Sequence, residues 1–138
     1  MAVRQISVFL ENTKGRLAEV TKVLADGDIN LRAMTIADTA DFGILRLIVD
    51  KEEKALELLE KKGFTAKETE VIGVEVADQP GGLAKVLDLF EKSGLNIEYL
   101  YVTLEKKGNA AVVIFKVDNL TLGKAIIKEK GLKAVDSF

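Results

Sequence analysis

The sequence predicts an α+β protein built from two copies of a βαββαβ unit, and three observations carry that reading. First, Gly15-Arg16-Leu17-Ala18-Glu19-Val20 recurs 66 residues on as Gly81-Gly82-Leu83-Ala84-Lys85-Val86. The same offset pairs Ile6 with Ile72, Val8 with Val74, Asn30 with Asn96 and Ile48 with Ile114. An offset of 68 pairs Asp50 with Asp118, Lys62 with Lys130, Gly63 with Gly131 and Ala66 with Ala134, which places a two-residue insertion past the third strand. Second, the two halves carry the same order of apolar runs, helical periodicities and turn signals. Third, 48% of the residues are hydrophobic against 30% charged, enough apolar material to fill a core in each of two small units.

In the first copy Gln5 to Leu10 is a short apolar strand and Glu11 to Gly15 a turn. Arg16 to Asp26 reads as a helix with Leu17, Val20, Val23 and Leu24 on one face. Asn12 or Thr13 is available to cap its start, and Gly27 to end it. Ile29 to Ala37 is a strand, Asp38 to Phe42 a polar turn, and Gly43 to Val49 a further strand. Asp50-Lys51-Glu52-Glu53 has the form of a capping box opening a helix that runs to Lys62 and stops at Gly63, before a fourth strand from Phe64 to Thr69. The second copy repeats this with strands at Val71 to Val76, Asn96 to Leu104, Ala110 to Val117 and Leu132 to Asp136. Its helices are Leu83 to Lys92 and one from Asn119 or Thr121 to Lys130. This is the ferredoxin-like arrangement, an antiparallel sheet with both helices on one face.

The copies meet near Glu70, giving domains 1–69 and 70–138, with no Gly, Pro or Ser linker between them. A fixed relation between them is therefore expected. The runs Ile44 to Val49 and Ala110 to Phe115 are almost continuously apolar, which implies sheets covered on both faces.

Composition excludes several classes of function. The chain has no cysteine and no histidine, so thiolate and imidazole metal ligands, thiol nucleophiles and the usual general base are absent; no catalytic centre, metal or cofactor is expected. With 20 Lys and Arg against 22 Asp and Glu, and no basic run, a nucleic-acid partner is disfavoured. Met1-Ala2-Val3-Arg4-Gln5 runs directly into a strand, and no apolar run approaches the ~20 residues that span a bilayer, so a cytoplasmic location away from membranes is expected.

Both copies place Asn/Asp-x-x-Gly-x-Leu before the first helix: Asn12-Thr13-Lys14-Gly15-Arg16-Leu17 and Asp78-Gln79-Pro80-Gly81-Gly82-Leu83. Both open the second strand with Asn between aliphatic residues, in Ile29-Asn30-Leu31 and Leu95-Asn96-Ile97. In these motifs the chain resembles the ACT family of regulatory ligand-binding domains over essentially its whole length. The segments Ile36 to Arg46 and Asn96 to Tyr101 are similar to stand-alone tandem ACT proteins that bind amino acids, and the first copy is also similar to acetolactate synthase regulatory subunits. The resemblance implies a ligand between ACT units, touching the turn before the first helix and the start of the second strand.

That assigns Asn12, Lys14, Gly15, Arg16, Leu17, Asn30 and Leu31 in one copy, and Asp78, Gly81, Gly82, Leu83, Asn96 and Ile97 in the other. The chemistry agrees with the assignment. A helix start is partially positive and a glycine lets a carboxylate come close, while an Asn amide both accepts and donates. Lys14 stands where Pro80 stands in the second copy. It is expected, with Arg16, to add positive charge to the first turn, which makes that turn the preferred primary site. Each glycine also has a purely conformational explanation, and Asp38 and Asp41 read as turn residues rather than cation ligands. Tyr99 and Tyr101 share one strand face and read as core or interface.

The expected function is a small-molecule sensor, most simply of an amino acid, acting as a homodimer and controlling a metabolic enzyme in trans. The alternative is a ligand-free dimerisation module of a larger complex.

Overall fold

Alternating apolar residues make strands and three-to-four spacings make helices along nearly the whole chain, as the pattern predicts. The computed structural model describes residues 3–38 and 41–138. The first six elements are β1 (Val3–Glu11), α1 (Arg16–Asp26), β2 (Leu31–Asp38), β3 (Phe42–Val49), α2 (Glu52–Lys61) and β4 (Thr65–Ala77). Then come α3 (Gly82–Lys92), β5 (Ile97–Lys107), β6 (Ala110–Val117) and α4 (Leu120–Glu129). The turn expected at Asp38 to Phe42 contains Thr39 and Ala40, which lie outside the described residues together with Met1 and Ala2.

The chain forms two compact units, residues 4–69 and residues 70–138 with Val3. In the N-terminal unit the strand order is β2-β3-β1, all antiparallel, with Ile6 opposite Leu47, Leu10 opposite Gly43 and Ile36 opposite Leu45. In the C-terminal unit the order is β4-β6-β5, with Ile72 opposite Phe115 and Val76 opposite Ala111. Alternation puts Ile6, Val8, Leu10, Leu45 and Leu47 on the helix-facing side, where they meet Val20 and Leu24 of α1 and Leu59 of α2. Each such side chain, fully buried, contributes about 1.5–3 kcal/mol. The second core is built alike from Ile72, Val74, Val113 and Phe115 with Val86, Phe90 and Ile126, and it adds an edge-on pair of the Phe90 and Phe115 rings at 5.3 Å. On the opposite sheet faces Ile48, Val112 and Ile114 are also buried, in keeping with their apolar runs.

Four expectations change. Strands predicted on either side of Glu70 are a single strand, β4, because nothing in Lys67-Glu68-Thr69-Glu70 interrupts extended backbone. The last strand shrinks to one bridge, Val74 to Ala134, flanked by Glu75 N–H donating to the Lys133 carbonyl and Val135 N–H to the Gly73 carbonyl. The capping box at Asp50 does not form: α2 starts from Lys51 without a side-chain cap, because the Asp50 carboxylate is engaged elsewhere. The two-residue insertion lies before β6 rather than after it. Strand β5 advances four residues from Val102 to Lys106 while β6 retreats two, from Val113 to Ala111, so the extra residues form a bulge. The offset is therefore already 68 along β3 and β6, and the match of Ile48 to Ile114 is coincidental.

At the start of α2, Glu52 is drawn against β1 and β4, with Arg4 Nη1 3.8 Å from Glu52 Oε2 and Arg4 Nε 3.5 Å from Glu68 Oε1. Burial, and after it the adjoining Glu68 carboxyl, push Glu52 up from 4.5 to about 7 against the opposing pull of Arg4. The native state then holds a proton between those values that the unfolded chain releases, so stability falls as pH rises through that window. Unfolding in urea at pH 5 and pH 8 should show Glu52→Gln less destabilised by the change than the unsubstituted protein, by about 2 kcal/mol.

Candidate functional site

The turn before each first helix is set by backbone conformation rather than by a cap. Asn12 N–H donates to the Asp41 carbonyl at 2.8 Å and Thr13 N–H to the Glu11 carbonyl at 2.8 Å, after which Gly15 turns the chain at φ +90° into α1. Neither Asn12 nor Thr13 caps the helix, contrary to expectation, because a side-chain cap needs an extended residue where this chain has a left-handed one. The second turn is built alike: Asp78 N–H donates to the Asn109 carbonyl at 2.9 Å, and Gly81 has φ +83° before an uncapped α3. A Cβ on Gly15 or Gly81 would meet nothing within 4 Å, so conformation alone requires these glycines, and the space beside them is open.

The next position separates the copies. Gly82 is buried, and a Cβ there would collide with the Ala77 carbonyl, so its role is structural. Arg16, at the matching place, is tied down. Its guanidinium lies 2.8 Å from Glu19 Oε2 and 3.6 Å from Glu11 Oε1, and packs 4.5 Å from the centre of the Phe64 ring. Lys14 is exposed. Asp78 forms an ion pair with Lys106 at 2.9 Å.

Leu17 and Leu83 are exposed at 39% and 36%, and Leu17 overhangs a cavity of about 150 Å3 in the N-terminal unit. Leu10, Ile36 and Gly43 form the rest of its wall, and Glu11, Asn12 and Thr13 its rim. Ile36 and Gly43 were not singled out by the sequence. The recurrence of aliphatic residues at Met34 and Ile36 as Leu100 and Val102, all exposed, was the available signal.

Asn30 is not in that cavity. It follows the C-terminal end of α1, and an eleven-residue helix is about 16 Å long, so Gly15 and Asn30 stand at opposite ends of one rod. Asn30 borders a separate depression with Asp28, Asp50 and Lys51, and Asn96 and Ile97 border another beside α3. Within each unit the two halves of the predicted site are therefore not brought together. Leu31 and Ile97 pack partly against the two cores.

The repeated Asn residues join the repeated Asp residues through backbone. Asn30 N–H donates to Asp50 Oδ1 at 3.0 Å and Asp50 N–H donates to the Asn30 carbonyl at 3.2 Å. Asn96 and Asp118 do the same at 3.1 and 3.0 Å. This clamp needs the carboxylate but not the Asn side chain, which is exposed in both copies. Tyr101 is buried and Tyr99 half-buried. Among the described residues no group of three acidic side chains is placed to hold a metal, and no helix is long and apolar enough to cross a membrane.

Two ferredoxin-like units with matched glycine turns define a tandem-repeat α+β architecture, and comparison with known proteins agrees. The family model described as an ACT domain pair matches residues 1–137, and the chain belongs to that family. Protein BT0572 from Bacteroides thetaiotaomicron is 42% identical, over 98% of this chain and 92% of its own, with a TM-score of 0.92. The regulatory subunit of aspartate kinase from Thermus thermophilus, in a ligand-free form, shares the fold at 19% identity and a TM-score of 0.68, over 93% and 90% of the two chains. Its counterpart from Thermus flavus does so at 18% identity and 0.62, over 91% and 88%. No curated protein gives a significant match.

The clamp gives a direct test. Asp50→Ala should lower unfolding stability by about 0.5–1.5 kcal/mol, the net worth of a hydrogen bond whose donor water can then reach, whereas Asn30→Ala keeps both backbone hydrogen bonds and should change it by less than about 0.5 kcal/mol. Urea titrations of the two variants compare them.

Proposed function

We propose that this chain is a metabolite sensor that binds an amino acid, or a closely related metabolite, at the turn opening α1 and regulates a partner enzyme in trans. The carrying observation is the turn of residues 12–17: a left-handed glycine with open space beside it, an uncapped helix start, and an apolar cavity below an exposed polar rim. Uncapped N–H groups and the helix dipole favour a carboxylate there. Membership of the ACT domain-pair family supports the reading, and proteins of this fold include regulatory subunits of aspartate kinase.

Because the turn and the Asn of one unit lie at opposite ends of α1, the second half of the site comes from another unit. An exposed Asn amide from that unit, Asn30 or Asn96, would take the ligand's ammonium or carboxylate. The domains 1–69 and 70–138 each act as one such unit, in a cytoplasmic homodimer. Ligand then regulates through its differential affinity for two packings of units. Of the assigned residues, Asn12, Gly15 and Leu17 belong to the first turn's ligand surface and Lys14 adds positive charge, while Arg16 holds the turn through Glu11 and Glu19.

A thermal-shift screen against the twenty amino acids at about 1 mM tests this. A ligand with Kd of ~10 μM adds roughly 2.7 kcal/mol, a rise of several degrees in Tm. A selective shift from one chemical group of amino acids is the expected result. No shift from any of them, with the protein folded, favours the ligand-free dimerisation module.

A further inference from the structure

We infer that the cavity beside Leu17 receives the side chain of an apolar amino acid, one per chain, and that the missing side chain at Gly43 sets the size it accepts. This inference rests on the sensor reading above and adds the chemical class of the ligand.

The wall of the cavity is hydrocarbon: Leu10 from β1, Leu17 from α1 and Ile36 from β2, with Gly43 of β3 completing it. Among the described residues its one charged lining residue, Glu11, is 57% exposed and 3.6 Å from Arg16, so it belongs to the rim and already has a counter-charge. An acidic or basic ligand side chain entering the cavity would lose water without gaining a partner. The volume of about 150 Å3 is comparable to that of apolar cavities that admit benzene. Branched aliphatic and benzyl side chains both fit that space.

Gly43 is not required by conformation, since its φ is not in the left-handed region. A Cβ built on it would sit 3.4 Å from Cδ1 and Cγ1 of Ile36 and 3.5 Å from the Ala37 carbonyl oxygen, which is ordinary contact. Alanine is therefore tolerated there by the fold, and what its methyl group removes is cavity. The C-terminal unit makes that substitution itself. Gly43 faces Leu10 in register as Ala111 faces Val76, so the second copy carries a methyl group where the first has none. At the rim of the second copy Asp78, in the place of Asn12, is closed by its ion pair with Lys106. The methyl group missing at Gly43 points to the N-terminal unit as the one that takes the ligand.

Isothermal titration with L-valine, L-leucine, L-isoleucine, L-phenylalanine and L-lysine, on the full chain, tests the assignment. The tightest-binding of the four apolar acids should bind about tenfold or more tightly than L-lysine, with one site per chain. Gly43→Ala should weaken the tightest-binding apolar acid about tenfold, with Tm in the absence of ligand unchanged. Tightest binding of lysine, two sites per chain, or an unchanged affinity in Gly43→Ala would each overturn the inference and leave the sensor reading standing. Binding of no amino acid at all would overturn both.

Discussion

The length of α1 is the constraint on which the account of this protein depends. Gly15 starts the helix from a left-handed turn, and at the other end Asp28, also left-handed at φ +56°, closes it, with Asp28 N–H on the Ala25 carbonyl and Ile29 N–H on the Leu24 carbonyl. Eleven residues between those points keep the glycine turn and Asn30 apart by the full helix, about 16 Å. The Asp50 carboxylate then fixes where β2 begins by holding the Asn30 N–H. A ligand the size of an amino acid cannot reach across, so the geometry of a single unit leaves a site half made. In the proposed function, a ligand enclosed by two units biases how units pack.

Duplication preserved this frame while letting its parts diverge. The left-handed position closing the first helix of each copy is Asp28 in one and Gly94 in the other. The start of the second helix is Lys51 in one, whose ammonium donates to the Asp28 carbonyl at 2.6 Å, and Asn119 in the other, whose Oδ1 caps the Leu122 N–H at 3.0 Å. Arg16 rests on Phe64 where Gly82 lies under the Ala77 carbonyl. The bulge in β5, where Thr103 Oγ1 accepts from Glu105 N–H at 3.2 Å, has no counterpart in β2. Apart from the bulge, each exchange keeps the backbone path and changes the side chains around it.

The fold was legible in the sequence because strand and helix periods are local. The limits of α1 and β6 follow from the position of the apolar residues and the flanking turn signals, and β3 differs only by Phe42. Caps were less legible. Asn12, Thr13 and Asp50 are all good capping residues, yet the first two are displaced by the left-handed Gly15 and the third is recruited by a strand twenty residues away in sequence. Pattern alone cannot rank a local against a distant partner for one carboxylate. The insertion was misplaced because Ile114 fits an apolar run in either register, and only the pairing of β5 with β6 decides it. At the site, Gly15, Leu17 and the repeated Asn residues stand out as repeats. Ile36 and Gly43 do not, because what matters at Gly43 is an absent side chain facing a residue on another strand.

The central claim is that a ligand is enclosed by the turn of one unit and the Asn of another. Calorimetric titration of the protein and its Asn30→Ala and Asn96→Ala variants, with the amino acid that raises Tm most, addresses it directly. The account predicts that at least one variant loses tenfold or more in affinity while remaining as stable as the unsubstituted protein, since neither side chain takes part in the clamp. Unchanged affinity in both variants would place the whole site at the turn and contradict a site shared between units.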